Sequence, residues 1–283
     1  QLNEKIERFW DLDTVGILEN EKCLYDKLVE DVTFREDRYE VRLPLKEGHP
    51  LIEDHYEPSL KRLKILTEKL KKTPDLLKKY DDIFRYYLDQ GIIEEATELG
   101  VLGEVTYLPH RAVIKEDRAT TKIRIVFDAS AKRTGPSLND CLYKGPSLVP
   151  LLYDVLVRFH THNIAMVADI KEAFLQISVT QADRDYLRFL WWKNPFDHDS
   201  EIVRYRFCRV IFGGTCSQFL LNAVIKLHIE KYKGGDSDFV EKTLRSLYVD
   251  DLSSGTRDVK SGFLDYKKCM KRFGEGKFEL RKW

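Results

Sequence analysis

The chain has 283 residues, 43% hydrophobic and 33% charged, which is enough apolar content for one large core or two modest ones and excludes wholesale disorder. Its 47 basic and 47 acidic side chains cancel, so no basic field covers the molecule as a whole. It contains no run of 18 apolar residues and no charged-then-apolar leader, so neither a membrane span nor secretion is expected, and the expected setting is cytoplasmic.

From the N-terminus, apolar residues at three- and four-residue spacing predict helices over 20–29, 58–72 and 74–90. Pro74 suits a first helical turn and Gly91 a C-terminal cap. Between the first two helices Tyr39, Val41, Leu43 and Leu45 alternate with polar residues, the pattern of a short half-buried strand. Asp75, Asp81, Asp82 and Asp89 are expected on a solvated helix face with local ion pairs. From about Thr106 onward the pattern alternates. Strands are expected at 105–114, 122–127, 164–169, 186–192 and 202–207, and helices at 149–159, 217–231 and 259–273, with a hairpin at Asp250. The fold class this predicts is α+β with a mainly antiparallel sheet.

Five cysteines (Cys23, Cys141, Cys208, Cys216, Cys269) are scattered without zinc-site spacing, so reduced, buried or incidental thiols are expected. His160 and His162 lie near no cysteine, and a polar helix-end role suffices for them. Trp191 and Trp192, with Tyr186 and Phe189, could stack bases, although adjacent aromatics in a strand more often pack a core. Charge is uneven along the chain. Residues 1–60 carry 16 acids against 8 bases, whereas 111–133 carry 7 bases against 3 acids and 256–283 carry 9 against 4. Such runs are either solvated faces or the local basic patches of a polyanion-binding protein.

The chemistry concentrates in three acids. Asp169 closes the apolar run 164–168, and Asp250 and Asp251 sit between Leu247-Tyr248-Val249 and Leu252 at the tip of a tight hairpin. Carboxylates at rigid strand ends are how a sheet presents hard oxygen donors to divalent cations. Two such ions, roughly 3.5–4 Å apart, can stabilise the attacking and leaving oxygens of an in-line displacement. The implied reaction class is phosphoryl or nucleotidyl transfer. Taken alone, an Asp-Asp pair in a turn is usually only turn chemistry and an Asp ending a strand is often a helix cap, so either segment by itself favours the plainer role.

In order along the chain, four segments resemble the palm and fingers of reverse transcriptases. They are Thr-Thr-Lys-Ile-Arg-Ile-Val-Phe-Asp-Ala-Ser (120–130), Val-Ala-Asp-Ile-Lys-Glu-Ala-Phe (167–174), Val-Ile-Phe-Gly-Gly-Thr-Cys-Ser-Gln-Phe-Leu-Leu-Asn (210–222) and Leu-Tyr-Val-Asp-Asp-Leu (247–252). Gly-Lys-Phe-Glu-Leu-Arg-Lys-Trp (276–283) resembles the next palm segment. The wording Val-Phe-Asp-Ala-Ser, Ser-Leu-Asn-Asp-Cys-Leu and Gly-Pro-Ser-Leu is similar to the BEL/Pao group of long-terminal-repeat retrotransposons.

The resemblance implies a right-hand polymerase with an antiparallel palm sheet. Residues 1–105 would be a mostly helical lead-in and 106–283 the fingers and palm, with the thumb absent. It implies an RNA-directed DNA polymerase that uses two Mg²⁺ or Mn²⁺ ions, deoxynucleoside triphosphates and a primer-template. A protease, ribonuclease H and integrase would flank it in a longer polyprotein, in the cell or a virus-like particle.

By carry-over, Asp169 and Asp250 bind both metals and Asp251 tunes the second. Lys122 and Arg124, with Lys115 behind them, contact the triphosphate, where a guanidinium can bind bidentately. Phe174 packs on the sugar and excludes a 2′-hydroxyl, while Phe212 and Gly213 approach the nucleotide and template. Lys282 donates a proton to pyrophosphate. Two departures from the family pattern are Gln218, where many members have Pro, and Phe212, where retroviral members have Gln. Two other functions stay open: a decayed or co-opted copy that only binds nucleic acid, and a metal nuclease.

Overall fold

The computed structural model describes residues 19–101, 103–115, 122–197 and 199–283. In chain order the elements are α1 (Glu19–Asp31), β1 (Thr33–Arg35), β2 (Arg38–Val41), α2 (Tyr56–Lys71), α3 (Pro74–Asp89), β3 (Ile93–Glu95), β4 (His110–Lys115) and β5 (Lys122–Phe127). Then come the one-turn α4 (Leu138–Cys141), α5 (Leu152–His160), β6 (Ile164–Ile170), a 3₁₀ turn (Ala173–Gln176), β7 (Ser178–Val179), a second 3₁₀ stretch (Gln181–Leu187), β8 (Arg188–Trp192) and β9 (Ile202–Phe207). The last are α6 (Ser217–Glu230), α7 (Ser237–Ser246), β10 (Leu247–Tyr248), β11 (Asp251–Thr256), α8 (Val259–Glu275) and β12 (Leu280–Arg281).

Helices mixed with small antiparallel sheets make this an α+β protein, the class expected. Several local expectations need correction: the alternation through Leu45 forms a strand only to Val41, and the helix foreseen from 149 begins at Leu152. The strand foreseen from residue 105 begins at His110, the one foreseen from 186 begins at Arg188 after a 3₁₀ stretch, and helices α4 and α7 were not foreseen. Helix α7 starts where the Asp236 carboxylate accepts from the Phe239 amide, and it buries Phe239, Val240 and Thr243. No helix among the described residues is long and apolar enough to cross a membrane.

The elements fall into two compact units that interleave along the chain. One takes the described residues up to 41 together with 144–177 and 218–283; the other takes 42–143 and 178–217.

The first unit is built on a four-stranded antiparallel sheet of order β10-β11-β6-β12. Because side chains alternate along a strand, Ala168 and Leu252 share one face and are buried, while Val167, on the other face, is 49% exposed. Met166, Leu252 and Ser254 line one cavity with Phe239 and Thr243 of α7 and Cys269 of α8, so these helices cover the buried face. Helix α6 contributes Phe219, Leu220, Leu221, Ala223, Val224 and Ile225, all buried, so its central turns are core on more than one face.

The second unit is held by aromatic rings. Phe127 meets Phe207 edge-on at 4.8 Å, Phe84 stacks on Phe189 at 5.1 Å, and Trp191 lies 5.1 Å from both Tyr80 and Phe84. His110 sits among them. Its Nε2 is 2.9 Å from the Leu190 carbonyl, which can only accept, so Nε2 carries the proton and Nδ1 accepts from the Tyr80 hydroxyl at 2.6 Å. Burial pushes the imidazole down to about 4.

Asp81 is a correction to the solvated face expected for α3: it is 4% exposed and accepts from Trp191 Nε1 at 3.0 Å and from Arg85 Nε at 2.6 Å. Trp191 is therefore core. Cys141, Cys208, Cys216 and Cys269 are free and buried, as expected of them; the Cys23 side chain lies outside the described set.

Candidate active site

The acids meet because of strand register. Asp169, near the end of the central strand β6, stands directly opposite Asp251 of β11 on one side and Arg281 of β12 on the other, and Asp251 in turn faces Tyr248 of β10. Residues in register share a face, so Tyr248, Asp251, Asp169 and Arg281 form one row across the sheet, on the face away from α7 and α8.

Strands β10 and β11 are joined by Val249 and Asp250 alone, so the tight hairpin forms but its turn lies one residue earlier than expected: Val249 takes the place foreseen for Asp251, which pairs with Tyr248 as the first residue of β11. Val249 has φ +58°, and Asp250 is not among the positive-φ residues. That combination marks a turn of the II′ kind, and a β-branched residue in the left-handed region is an outlier that its surroundings must hold. Two hydrogen bonds do so. Asn222 Nδ2 of α6 donates to the Val249 carbonyl at 3.0 Å, and the Ile170 amide of β6 donates to the Asp250 carbonyl at 2.9 Å. The turn bearing Asp250 is thereby tied to the residue after Asp169. Asn222, at 3% exposure within the apolar run 219–225 of α6, was legible in the sequence only as the end of a segment. A buried amide on an apolar stripe was the signal that it had a specific partner.

The electrostatics show how closely the acids crowd. Partial burial and then the negative charges of Asp250 and Asp169 push the Asp251 carboxyl above the ordinary carboxylate range, against the opposing pull of Lys282. Burial alone would raise Asp169 too. Its hydrogen bonds to Lys282 and Arg281 overcome that and hold it below the ordinary range. Arg281 Nε donates to Oδ1 at 3.1 Å and Nη2 to Oδ2 at 3.3 Å, while Lys282 Nζ donates to Oδ2 at 2.7 Å.

Three mutually repelling carboxylates, all hard oxygen donors, fit divalent cations by charge and by ligand type. Among the described residues no three such side chains already stand at metal-ligating spacing. The positions on Asp169 that cations would take are held by a guanidinium and an ammonium.

The other expected site residues divide between the units. Phe174 lies in the first, half-buried in the 3₁₀ turn after β6. Lys282, expected to protonate pyrophosphate, is engaged with Asp169. Lys115, Lys122, Arg124, Phe212 and Gly213 belong to the second unit. There the β4–β5 register sets Lys115 opposite Lys122 and Val113 opposite Arg124, which puts the three basic positions on one face of the hairpin, with Arg124 exposed. Phe212 is 44% exposed.

Gly213 has φ +104°, and a Cβ on it would come within 2.6 Å of the Phe127 carbonyl oxygen. Asn139 of α4 clamps this loop. Its Nδ2 is within 3.0 Å of the Gly213 carbonyl and 2.8 Å of Ser130 Oγ, and its Oδ1 accepts from the Thr215 amide at 2.8 Å. Gln218 occupies the first turn of α6, where the backbone N–H lacks an intrahelical acceptor, so its presence in place of Pro leaves the helix start intact. No protein-family model matches this chain, and no well-characterised protein matches it.

Proposed function

We propose that this chain is the fingers and palm portion of a reverse transcriptase of the BEL/Pao retrotransposon type, transferring deoxynucleoside monophosphates to a primer 3′-hydroxyl on an RNA or DNA template. The observation that carries the reading is the strand register that sets Asp251 opposite Asp169, with Asp250 in the strained two-residue turn next to Asp251. The ordered segment resemblance supports it.

In this reading Asp169 and Asp250 hold a pair of Mg²⁺ or Mn²⁺ ions and Asp251 tunes the second. Bound there, the ions supply Lewis acidity at the primer hydroxyl and neutralise charge on the triphosphate. Asn222 and the Ile170 amide keep the Asp250 turn in place. Arg124, with Lys122 and Lys115, binds phosphate oxygens, and Phe174 closes the space a 2′-hydroxyl needs. Primer-template and deoxynucleoside triphosphates are the partners, within a polyprotein that also carries protease, ribonuclease H and integrase.

The test is template-directed incorporation with Mg²⁺ or Mn²⁺ by this protein, beside Asp250→Asn. Incorporation lost in the variant with folding and duplex binding retained is the expected result, and incorporation retained in the variant would reject the metal assignment. A second reading, a co-opted copy that binds nucleic acid without catalysis, draws on the occupation of Asp169 by Arg281 and Lys282. A folded, duplex-binding wild type that incorporates nothing would favour it. Strand cleavage without extension would point to a nuclease.

A further inference from the structure

The cations on Asp169 are the part of the acid cluster that the proposed reaction leaves unused. A carboxylate offers about four lone-pair positions, two on each oxygen. Oδ2 of Asp169 accepts from both Lys282 Nζ and Arg281 Nη2, which fills it, and Oδ1 accepts from Arg281 Nε, which leaves one position. Lone pairs committed to N–H donors are not free to ligate a hard cation, so an Asp169 that serves two ions must first shed donors from Oδ2.

The donors come from one short stretch. Arg281 is fixed across the ladder from Asp169, and Lys282 follows it with φ +59°, a left-handed conformation that a non-glycine residue seldom adopts. The backbone is bent into an unfavourable region at the residue whose ammonium reaches Oδ2. Arg281 is 41% and Lys282 59% exposed, so each can turn to solvent, and a metal ion in its place keeps the 17% exposed Asp169 carboxylate paired.

We infer that Arg281 and Lys282 are resident counter-cations of the acid cluster, displaced by divalent metal ions, so that metal binding and the position of residues 280–282 are coupled. The inference rests on the metal site of the proposed function, since only a competing cation can displace them. Coupling of this kind is reciprocal. Metal binding frees the segment, and whatever draws the segment from Asp169 tightens metal binding.

The test is Mn²⁺ binding to the whole chain without nucleotide or nucleic acid, read from the resonance of the free ion. Exposed ion pairs contribute about 0.2–1 kcal/mol each and 1.4 kcal/mol is tenfold, so losing both in Arg281→Gln/Lys282→Ala should tighten Mn²⁺ binding roughly two- to thirtyfold over wild type. Lys171→Ala/Lys277→Ala removes the same amount of charge from lysines paired with Glu279 and Asp37, and should tighten binding clearly less. Equal tightening in the two double variants, or none in the first, overturns the displacement.

Asp250→Asn separates this from the broader reading. If it weakens Mn²⁺ binding while the first double variant changes nothing, only the displacement falls. If Mn²⁺ binds equally to all, or to none, the metal site falls and takes the inference with it. A second readout is amide hydrogen exchange over 278–283, expected to rise on adding Mg²⁺ to wild type and to be already high in Arg281→Gln/Lys282→Ala. Exchange indifferent to Mg²⁺ overturns the coupling.

Discussion

Replacing Gly213 by alanine should damage the second unit far more than the same change at Gly91, and the contrast isolates a close approach of two backbones. Both glycines have positive φ, +104° and +58°. A Cβ at Gly91 meets nothing within 4 Å, so Gly91→Ala carries only the conformational penalty of an L-residue in the left-handed region, about 1 kcal/mol. At Gly213 the φ lies beyond that region and the Cβ would sit 2.6 Å from the Phe127 carbonyl oxygen, which a flexible side chain cannot relieve by turning away. The loop must move off β5, and that strains the Asn139 bonds to the Gly213 carbonyl and the Thr215 amide. With about 1–2 kcal/mol for the backbone and about 1 kcal/mol for each weakened bond, Gly213→Ala should lose about 3–4 kcal/mol. Urea unfolding with Trp191 and Trp192, both within this unit, as fluorescent reporters measures the two variants side by side. A Gly213→Ala loss no larger than that of Gly91→Ala would refute the argument. Unchanged stability with abolished incorporation would show that the glycine serves substrate approach instead.

Three further outcomes are expected. The buried His110 imidazole, held at about 4 against about 6.5 in the unfolded chain, takes up its proton later than the unfolded chain does as pH falls. Its stabilisation is therefore complete above pH 6.5 and lost progressively toward pH 4, by about 3 kcal/mol, and His110→Gln should flatten urea midpoints over that window; an unchanged pH dependence would exclude it as the source. Asn222→Ala leaves the Val249 carbonyl without its donor, so it should cost about 1–3 kcal/mol and depress incorporation beyond what lost folding explains, as single-turnover assays with active-site counting would show. Phe174→Val should relax discrimination against ribonucleotides in incorporation assays, and unchanged sugar selectivity would remove the ring from that role.

The acid cluster was legible because its causes are local. An apolar run ending at Asp169 and the acid pair Asp250-Asp251 between apolar flanks specify a strand end and a tight hairpin, and β6, β10 and β11 form there with the turn one residue earlier, because the pattern marks a hairpin without fixing its register. The unbroken apolar run shows that Asp169 ends a strand, though not which face of the sheet it takes. What it cannot assign is the occupant of the neighbouring strand. Arg281 meets Asp169 from 112 residues away and Trp191 reaches Asp81 from 110, pairings that depend on the assembled sheet and core. Asp81 was assigned to solvent because a helical acid with Arg85 one turn on matches a surface ion pair, and the local pattern holds no sign of the indole N–H that buries it. Helix α7 escaped notice for a different reason: its ten residues offer only a brief apolar stripe behind Asp236.

The central place of β6 in its sheet has a consequence for synthesis. Both strands that flank it, β11 and β12, lie more than about eighty residues downstream, so a nascent chain carries β6 for about 4–16 s at ordinary elongation rates with neither edge paired. An apolar strand with two open edges is a template for pairing with other nascent chains. Production of this protein should therefore gain more from slowed initiation, or from a chaperone that shields extended segments, than from lowered temperature after the chain is complete.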